Sequence, residues 1–266
     1  MKKIVTLALA ALLCFGLLAG CGETTGETGK TVATKADLDG ARIGVQEGTT
    51  GDLYVSDPEQ VKDAQVSRFK KAVDAAVDLK NGRLDAVVVD ELPAQRIVEK
   101  NSDLTILDED FTEEDYAIAV KKGNTELLDK INTVLAEMKQ DGRFDTIVAA
   151  FIEGDEEAMA QLAALPAPQG ETVLRMGTNA EFEPFEYRDE NNEITGFDVE
   201  VAKAIARDLG MGFEVTDMAF DSLINALSSD MIDVVIAGMT VTDERKQNVD
   251  FTDSYYTSTQ VIIVKK

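Results

Sequence analysis

LKNGRLDAVVVDE (residues 79–91) and LSSDMIDVVIAGM (residues 227–239) share one grammar. Each runs through the end of a helix, a tight turn, an aspartate (Asp85, Asp233) and an apolar strand whose far end carries small or polar residues. Around each lies an alternation of strand and helix signals. Before residue 79 come ARIGVQ, AQVSRF and KKAVDAAVDLKNG, and after it ELPAQRIVEKN and LTILD. Before residue 227 come VLRMGTN, DVEVAKAIARDLG and GFEVTDM. Strands separated by helices of this length imply βαβ units on a mostly parallel sheet, so the fold class is α/β with two such series. In open α/β sheets ligands sit at the carboxyl ends of the strands, and two lobes facing each other at those ends frame a cleft.

The 266 residues, 44% hydrophobic, can bury a core of that size in two lobes. The first 20 residues are set apart. MKK followed by an apolar run is a basic region plus a hydrophobic segment too short for a comfortable membrane span, as in a secretory signal. Leu18-Ala19-Gly20-Cys21 is similar to a bacterial lipobox, which makes Cys21 the expected lipidation site and places the protein on the extracytoplasmic face of the cell membrane. Residues 21–34, rich in Gly, Thr and Glu, have the composition of a flexible tether.

With Cys14 leaving in the leader and Cys21 lipidated, cysteine chemistry is excluded from the expected mature fold. The lack of histidine removes the usual general base and the commonest metal ligand, and no cofactor or metal is expected. A net charge of −24, or −26 once Lys2 and Lys3 leave, repels nucleic acid and anionic lipid. DEDFTEED (residues 108–115) lacks the ligand spacing and glycine of a calcium loop and is expected to be solvated.

Polar and aromatic residues cluster at strand ends. Gly238 and Thr240 close the second apolar strand, and Arg245 follows in TVTDERK, near a helix start capped by Thr242. An arginine there can grip a carboxylate through two parallel bonds, or it can pair with a neighbouring acid at the surface. EGTTGD places Gly48, Thr49 and Thr50 before a helix N-terminus, without any phosphate-loop pattern. Asp90 is either a carboxylate awaiting a cation or the N-cap of the next helix. Phe182 and Phe220 sit at loop positions unusual for core aromatics. Together these residues suit a zwitterion with a short side chain.

GTNAEFEPFEYRDENNEITGFDVEVAKAIARDLG with FDSLINALSSDMIDVVIAGMTVTDERKQNVDFTDSYY resembles the first half of the amino-acid solute-binding proteins of ABC importers, and residues 35–152 resemble the second half. The resemblance implies a two-lobed, type II periplasmic-binding-protein-like fold, circularly permuted. Residues 35–110 would form lobe 2 and residues 111–266 lobe 1, with 154–170 a connector joining the family's usual termini. The chain would cross between lobes once, near residues 110–112, and TSTQVIIVKK (residues 257–266) would end at the hinge.

The resemblance also implies roles. Arg245 would hold the ligand α-carboxylate with Thr240 and Thr50, Asp90 and Gly238 the α-ammonium, and Phe182 and Phe220 the side chain. Asn179 stands where basic- and glutamine-binding members often carry aspartate, so a polar, uncharged, glutamine-like amino acid is expected; Gln46 and Glu47 would line the side-chain pocket, where Glu47 points instead to a cationic side chain. A basic amino acid is the alternative. The implied partners are the permease subunits of an ABC importer, reached by hinge closure of a monomer. A dehydratase, with Glu47 or Glu181 as general acid, and a ligand sensor are the other classes this fold serves.

Overall fold

The computed structural model describes residues 29–109 and 111–266. The expected leader, Cys21 and most of the tether lie outside the described residues. Lobe 2 is built from β1 (Arg42–Gln46), α1 (Thr50–Ser56), β2 (Gln65–Phe69), α2 (Ala72–Lys80), β3 (Ala86–Asp90), α3 (Glu91–Glu99) and β4 (Leu104–Ile106). β5 (Thr112–Tyr116) leads out of it into β6 (Ala119–Lys121), α4 (Thr125–Asp141), α5 (Arg143–Val148) and α6 (Glu156–Ala163). Lobe 1 continues with β7 (Val173–Thr178), the short strands β8 (Glu181–Phe182), β9 (Glu186–Arg188) and β10 (Ile194–Thr195), then α7 (Phe197–Asp208), β11 (Gly212–Asp217), α8 (Leu223–Ser228), β12 (Val234–Val235) and β13 (Val249–Phe251). The last element is β14 (Tyr256–Lys265).

The lobe 2 sheet has the order β2-β1-β3-β14-β4, with β1 parallel to both neighbours. The lobe 1 sheet has the order β11-β7-β12-β6-β13, with β7 parallel to β11 and β12. The unbroken apolar strands have the burial that such sheets demand: every residue of β3 is buried, as helices cover both faces. The α4 helix shows the complementary pattern. Asn124 caps it, Ile131, Val134, Leu135 and Met138 are buried along one stripe, and Gly142 ends it at φ +83°.

The two matching aspartates have one structural job. Asp85 accepts from the Arg42 backbone N–H at 2.9 Å and from its guanidinium at 2.6 and 3.1 Å. Asp233 repeats this with Arg175, at 2.9 Å from the backbone and 2.7 and 3.0 Å from the guanidinium. Each pair ties the start of a strand to its neighbour with two-pronged, charge-assisted bonds. Burial acts to raise both carboxyls, but the arginine bonds prevail and hold them below the usual carboxylate range.

One expectation is corrected. β14 pairs with β5 from Tyr256 to Gln260, then with β3 and β4 from Gln260 to Lys265. Residues 260–265 therefore belong to the lobe 2 sheet, and the chain crosses between lobes twice, through β5 and through β14. The reason is length and burial: a ten-residue strand can bridge the hinge with one half and fill a central sheet position with the other, and Val261, Ile262, Ile263 and Val264 are all buried. Tyr116 of β5 and Tyr256 of β14 pack edge to face on Phe185, and Phe197 does the same on Phe185 and Tyr256, with ring centroids 5.0–6.0 Å apart.

Candidate functional site

Where the carboxyl ends of β1, β3, β7 and β12 converge, side chains from both lobes enclose a cavity lined by Gln46, Thr50, Asp90, Asn179, Phe182, Glu186, Phe220, Gly238 and Thr240, among others. The walls close on it so tightly that it holds no more than about one water molecule. A ligand larger than water enters when the lobes part or these side chains turn. Hydrogen bonds span it directly: Thr50 Oγ1 donates to Thr240 Oγ1 at 2.8 Å, and Gln46 Nε2 to Asn179 Oδ1 at 2.7 Å.

Arg245, 6% exposed, is not among the cavity-lining residues but contacts two of them, Thr240 and Phe220. The expected helix after Thr242 is a single 3-10 turn, Arg245–Gln247, entered by a bond from the Arg245 N–H to Thr242 Oγ1. The guanidinium donates to the Thr240 carbonyl at 2.7 Å in lobe 1 and to the Gly48 carbonyl at 3.0 Å in lobe 2, and it lies 5.4 Å from the Phe220 ring centroid. Of its two expected settings, the exposed ion pair is not the observed one. Burial works against its charge, while Glu114 and Asp90 favour it.

Asp90 is at the N-cap position of α3, yet its side chain makes no capping bond. It turns to the hinge, where the Tyr116 hydroxyl donates to it and Ser258 Oγ lies at 3.5 Å. Burial first, then the neighbouring Glu114, pushes the Asp90 carboxyl well above its usual range. Glu114 accepts from Thr240 Oγ1 and, at 2.6 Å, from Gln260 Nε2, so a hinge-strand carboxylate is joined to both the cavity wall and the other crossing strand.

Gly238 adopts φ +51°, and its N–H donates to Asp198 Oδ2 at 2.8 Å. A Cβ there would meet the Phe182 ring at 3.0 Å, so the residue is glycine for conformation and contact together. The Gly48 N–H is likewise committed, to Asp52 Oδ2 at 3.0 Å, which leaves the Gly/Thr turn less free for an anion than its sequence suggests. Glu47 and Glu181 pair with Lys70 and Lys71 and are not among the cavity-lining residues.

Glu186 is the residue that sequence reasoning missed. It lines the cavity, is 1% exposed, and neither carboxylate oxygen accepts from a donor group; its hydrogen-bonding neighbour is another carboxyl, Asp198. Burial first, then the charge of Asp198, pushes it well above its usual range. A buried carboxyl left without a donor costs stability unless something else occupies the site. No strand alternation marked it in the sequence: Glu186 and Arg188 share a face of β9 by period, yet one is buried and the other exposed.

Residues 28–154 and 174–266 match the family of bacterial extracellular solute-binding proteins, family 3. The chain belongs to that family. Among this family 3 protein's relatives is the arginine-binding extracellular protein ArtP of Bacillus subtilis (strain 168), 54% identical over 97 residues, which are 36% of this chain and 38% of ArtP. A probable histidine-binding protein of Neisseria gonorrhoeae is 42% identical over 104 residues, 39% of each chain. The chain thus spans about two-fifths of the length of the relatives it matches. A solved ancestral arginine-binding protein bound to arginine shares 55% identity over 32% of this chain and 38% of its own, at a TM-score of 0.32. Among the described residues, no helix is long and apolar enough to cross a membrane.

Proposed function

We propose that this protein captures a cationic L-amino acid of the arginine type on the extracytoplasmic face and presents it to the membrane subunits of an ABC importer. The observation that carries the reading is Glu186, a buried carboxyl in the wall of an interlobe cavity that no donor group reaches. Three further carboxyls, Asp90, Glu114 and Asp198, are buried near it, with Arg245 the cation among them. A ligand bringing one carboxylate and two cationic groups suits that balance better than a neutral zwitterion does. The names of the relatives point the same way.

In this reading Arg245 takes the α-carboxylate, exchanging its two carbonyl acceptors for a two-pronged pair, with Thr50 and Thr240 beside it. Asp90 takes the α-ammonium. Gly238 can contribute there through its carbonyl only, since its N–H is engaged. Phe182 and Phe220 flank the side chain, and Glu186 with Asn179 and Gln46 holds its polar end. The paired crossing strands β5 and β14 are the hinge, and contact with both lobes stabilises the closed form that the importer recognises. Cys21 is the proposed lipid anchor, the chain is proposed to act as a monomer, and the order of its halves is proposed to be permuted, with 154–170 as the connector.

A thermal-shift screen of the mature protein against the common L-amino acids tests the reading. Arginine at about one hundred times its Kd is expected to add about 2.7 kcal/mol of stability. Stabilisation by glutamine and not by arginine favours the second reading, a glutamine-like ligand, which the neutral amides of Asn179 and Gln46 support.

A further inference from the structure

We propose that a cationic amino acid entering the interlobe cavity expels a proton from the Glu186–Asp198 carboxyl pair, so that affinity for that ligand rises with pH; the proposal rests on the cationic reading of the site.

The geometry begins with two acids meeting in the core of lobe 1. Glu186, from β9, and Asp198, in the first turn of α7, are 1% and 0% exposed. Asp198 is well provided as an anion: the Gly238 N–H donates to it at 2.8 Å and the Tyr255 hydroxyl at 2.9 Å. Glu186 has no such donor. The charges that act on Glu186 are Asp198 from α7, Asp90 from the end of β3 and Asp217 from the end of β11, all of them acidic. Asp217 is paired with Arg188 at 2.9 Å, and Arg245 is spent on two carbonyls. Two adjacent carboxyls in a dry site do not both ionise, so the pair retains one proton, which belongs to the pair and is held mainly by the donor-poor Glu186. Burial raises both acids, Asp198 to about 6 and Glu186 well above its usual range.

A guanidinium or ammonium group beside Glu186 reverses this balance. It supplies the missing counter-charge and donors, the O–H bond of the pair breaks, and the proton passes to buffer while the carboxylate keeps the electron pair. A neutral side chain supplies no charge and leaves the proton in place. The coupling therefore separates ligands by charge, and it weakens capture of cations under acidic conditions.

Calorimetric titration of the full-length protein with L-arginine, at neutral pH in phosphate and in Tris, reads the proton count from the difference in heats. About one proton released per arginine is expected, and the association constant should rise about tenfold per pH unit where the pair titrates. L-glutamine, where it binds, should release none. Glu186→Gln should abolish the buffer-dependent heat, and Glu186→Asp should restore part of it. The wild-type titration stands if either variant fails to fold. Arginine binding with equal heats in both buffers overturns this proposal and leaves the cationic reading intact. Absence of arginine binding overturns both.

Discussion

Lys100 Nζ lies 2.7 Å from Glu183 Oε2, joining the end of α3 in lobe 2 to the β8–β9 turn of lobe 1 across a groove between the lobes. The pair belongs to a polarised belt. Lys71 reaches Glu181, and Lys70 reaches Asp221 at 2.9 Å, again with the cation from lobe 2 and the acid from lobe 1. In a chain of net charge −24 this arrangement concentrates attraction where the lobes meet. Exposed pairs are individually weak and screened by salt. Raising the salt concentration is therefore expected to weaken ligand affinity by about two- to fivefold for each pair lost. Neutralisation, Lys71→Gln with Lys100→Gln, should reproduce that loss at low salt and flatten the salt dependence. Affinity independent of salt in the wild type would count against a role for the belt in closure.

Arg245 bridges the lobes through carbonyls of Thr240 and Gly48. Arg245→Ala is expected to weaken ligand binding by about 3 to 5 kcal/mol, because a carboxylate would be left unpaired in a desolvated cleft. Arg245→Lys should also lose at least about tenfold, since a point-like ammonium lacks the two-pronged geometry. Isothermal titration measures both, and full affinity in Arg245→Ala would remove the arginine from the site.

The donor-poor Glu186 sets function against stability. Glu186→Met is expected to stabilise the ligand-free protein by about 1 to 3 kcal/mol in chemical denaturation, because an apolar side chain of similar length relieves the crowding of two buried carboxyls that no donor reaches on the Glu186 side. The same change should abolish stabilisation by arginine. A destabilised Glu186→Met protein would mean that the proton shared with Asp198 contributes more to the folded state than the crowding of the two carboxyls costs.

Stability should vary with pH in two directions. Asp198 is raised from 3.8 to about 6. Its contribution is present in full below about pH 4 and disappears as pH rises through 6, a change of about 3 kcal/mol. Asp85 and Asp233 are lowered, so theirs is present above about pH 4 and lost as pH falls below it. The melting temperature of the ligand-free protein should therefore peak in the mildly acidic range and fall towards neutrality. A melting temperature that climbs steadily from pH 5 to 8 would contradict the raised Asp198.

Much of the fold was legible because burial dictates composition. AVVVD in β3 has to be covered on both faces, and the α4 stripe has to face a core. The destination of β14 was not legible, since an apolar strand announces burial and not which sheet buries it. Asp90 and Arg245 could be picked out as polar residues at strand ends, but not the cross-lobe carbonyls that Arg245 meets. Glu186 was hidden for a different reason. It sits in EPFEYRDEN among charged surface residues, and only packing of Phe185 against Phe197 and Tyr256 carries the hairpin inward and buries its carboxyl.

The two crossings bear on the proposed permutation. With β5 and β14 both spanning the lobes, proteolytic nicking between residues 107 and 111 divides the chain into two pieces, held together noncovalently by the ladders of β14 to β3 and β4. The nicked protein is expected to stay one particle in size-exclusion chromatography and to keep its ligand. The rearranged order is open to a direct test. Gly29 lies against the Arg42–Asp85 pair, and Lys265 Nζ donates to the Lys80 carbonyl at 3.0 Å, so residues 29 and 265 lie near the same end of the lobe 2 sheet. A chain in which residues 171–266 precede residues 35–153, joined by a short flexible linker, should fold with both sheets intact, because no strand pairing depends on residues 154–170. Its ligand affinity should match that of the natural order within about threefold, as the hinge strands and cavity residues are unchanged. A reordered chain that folds but binds far more weakly would show that the natural order adjusts closure itself.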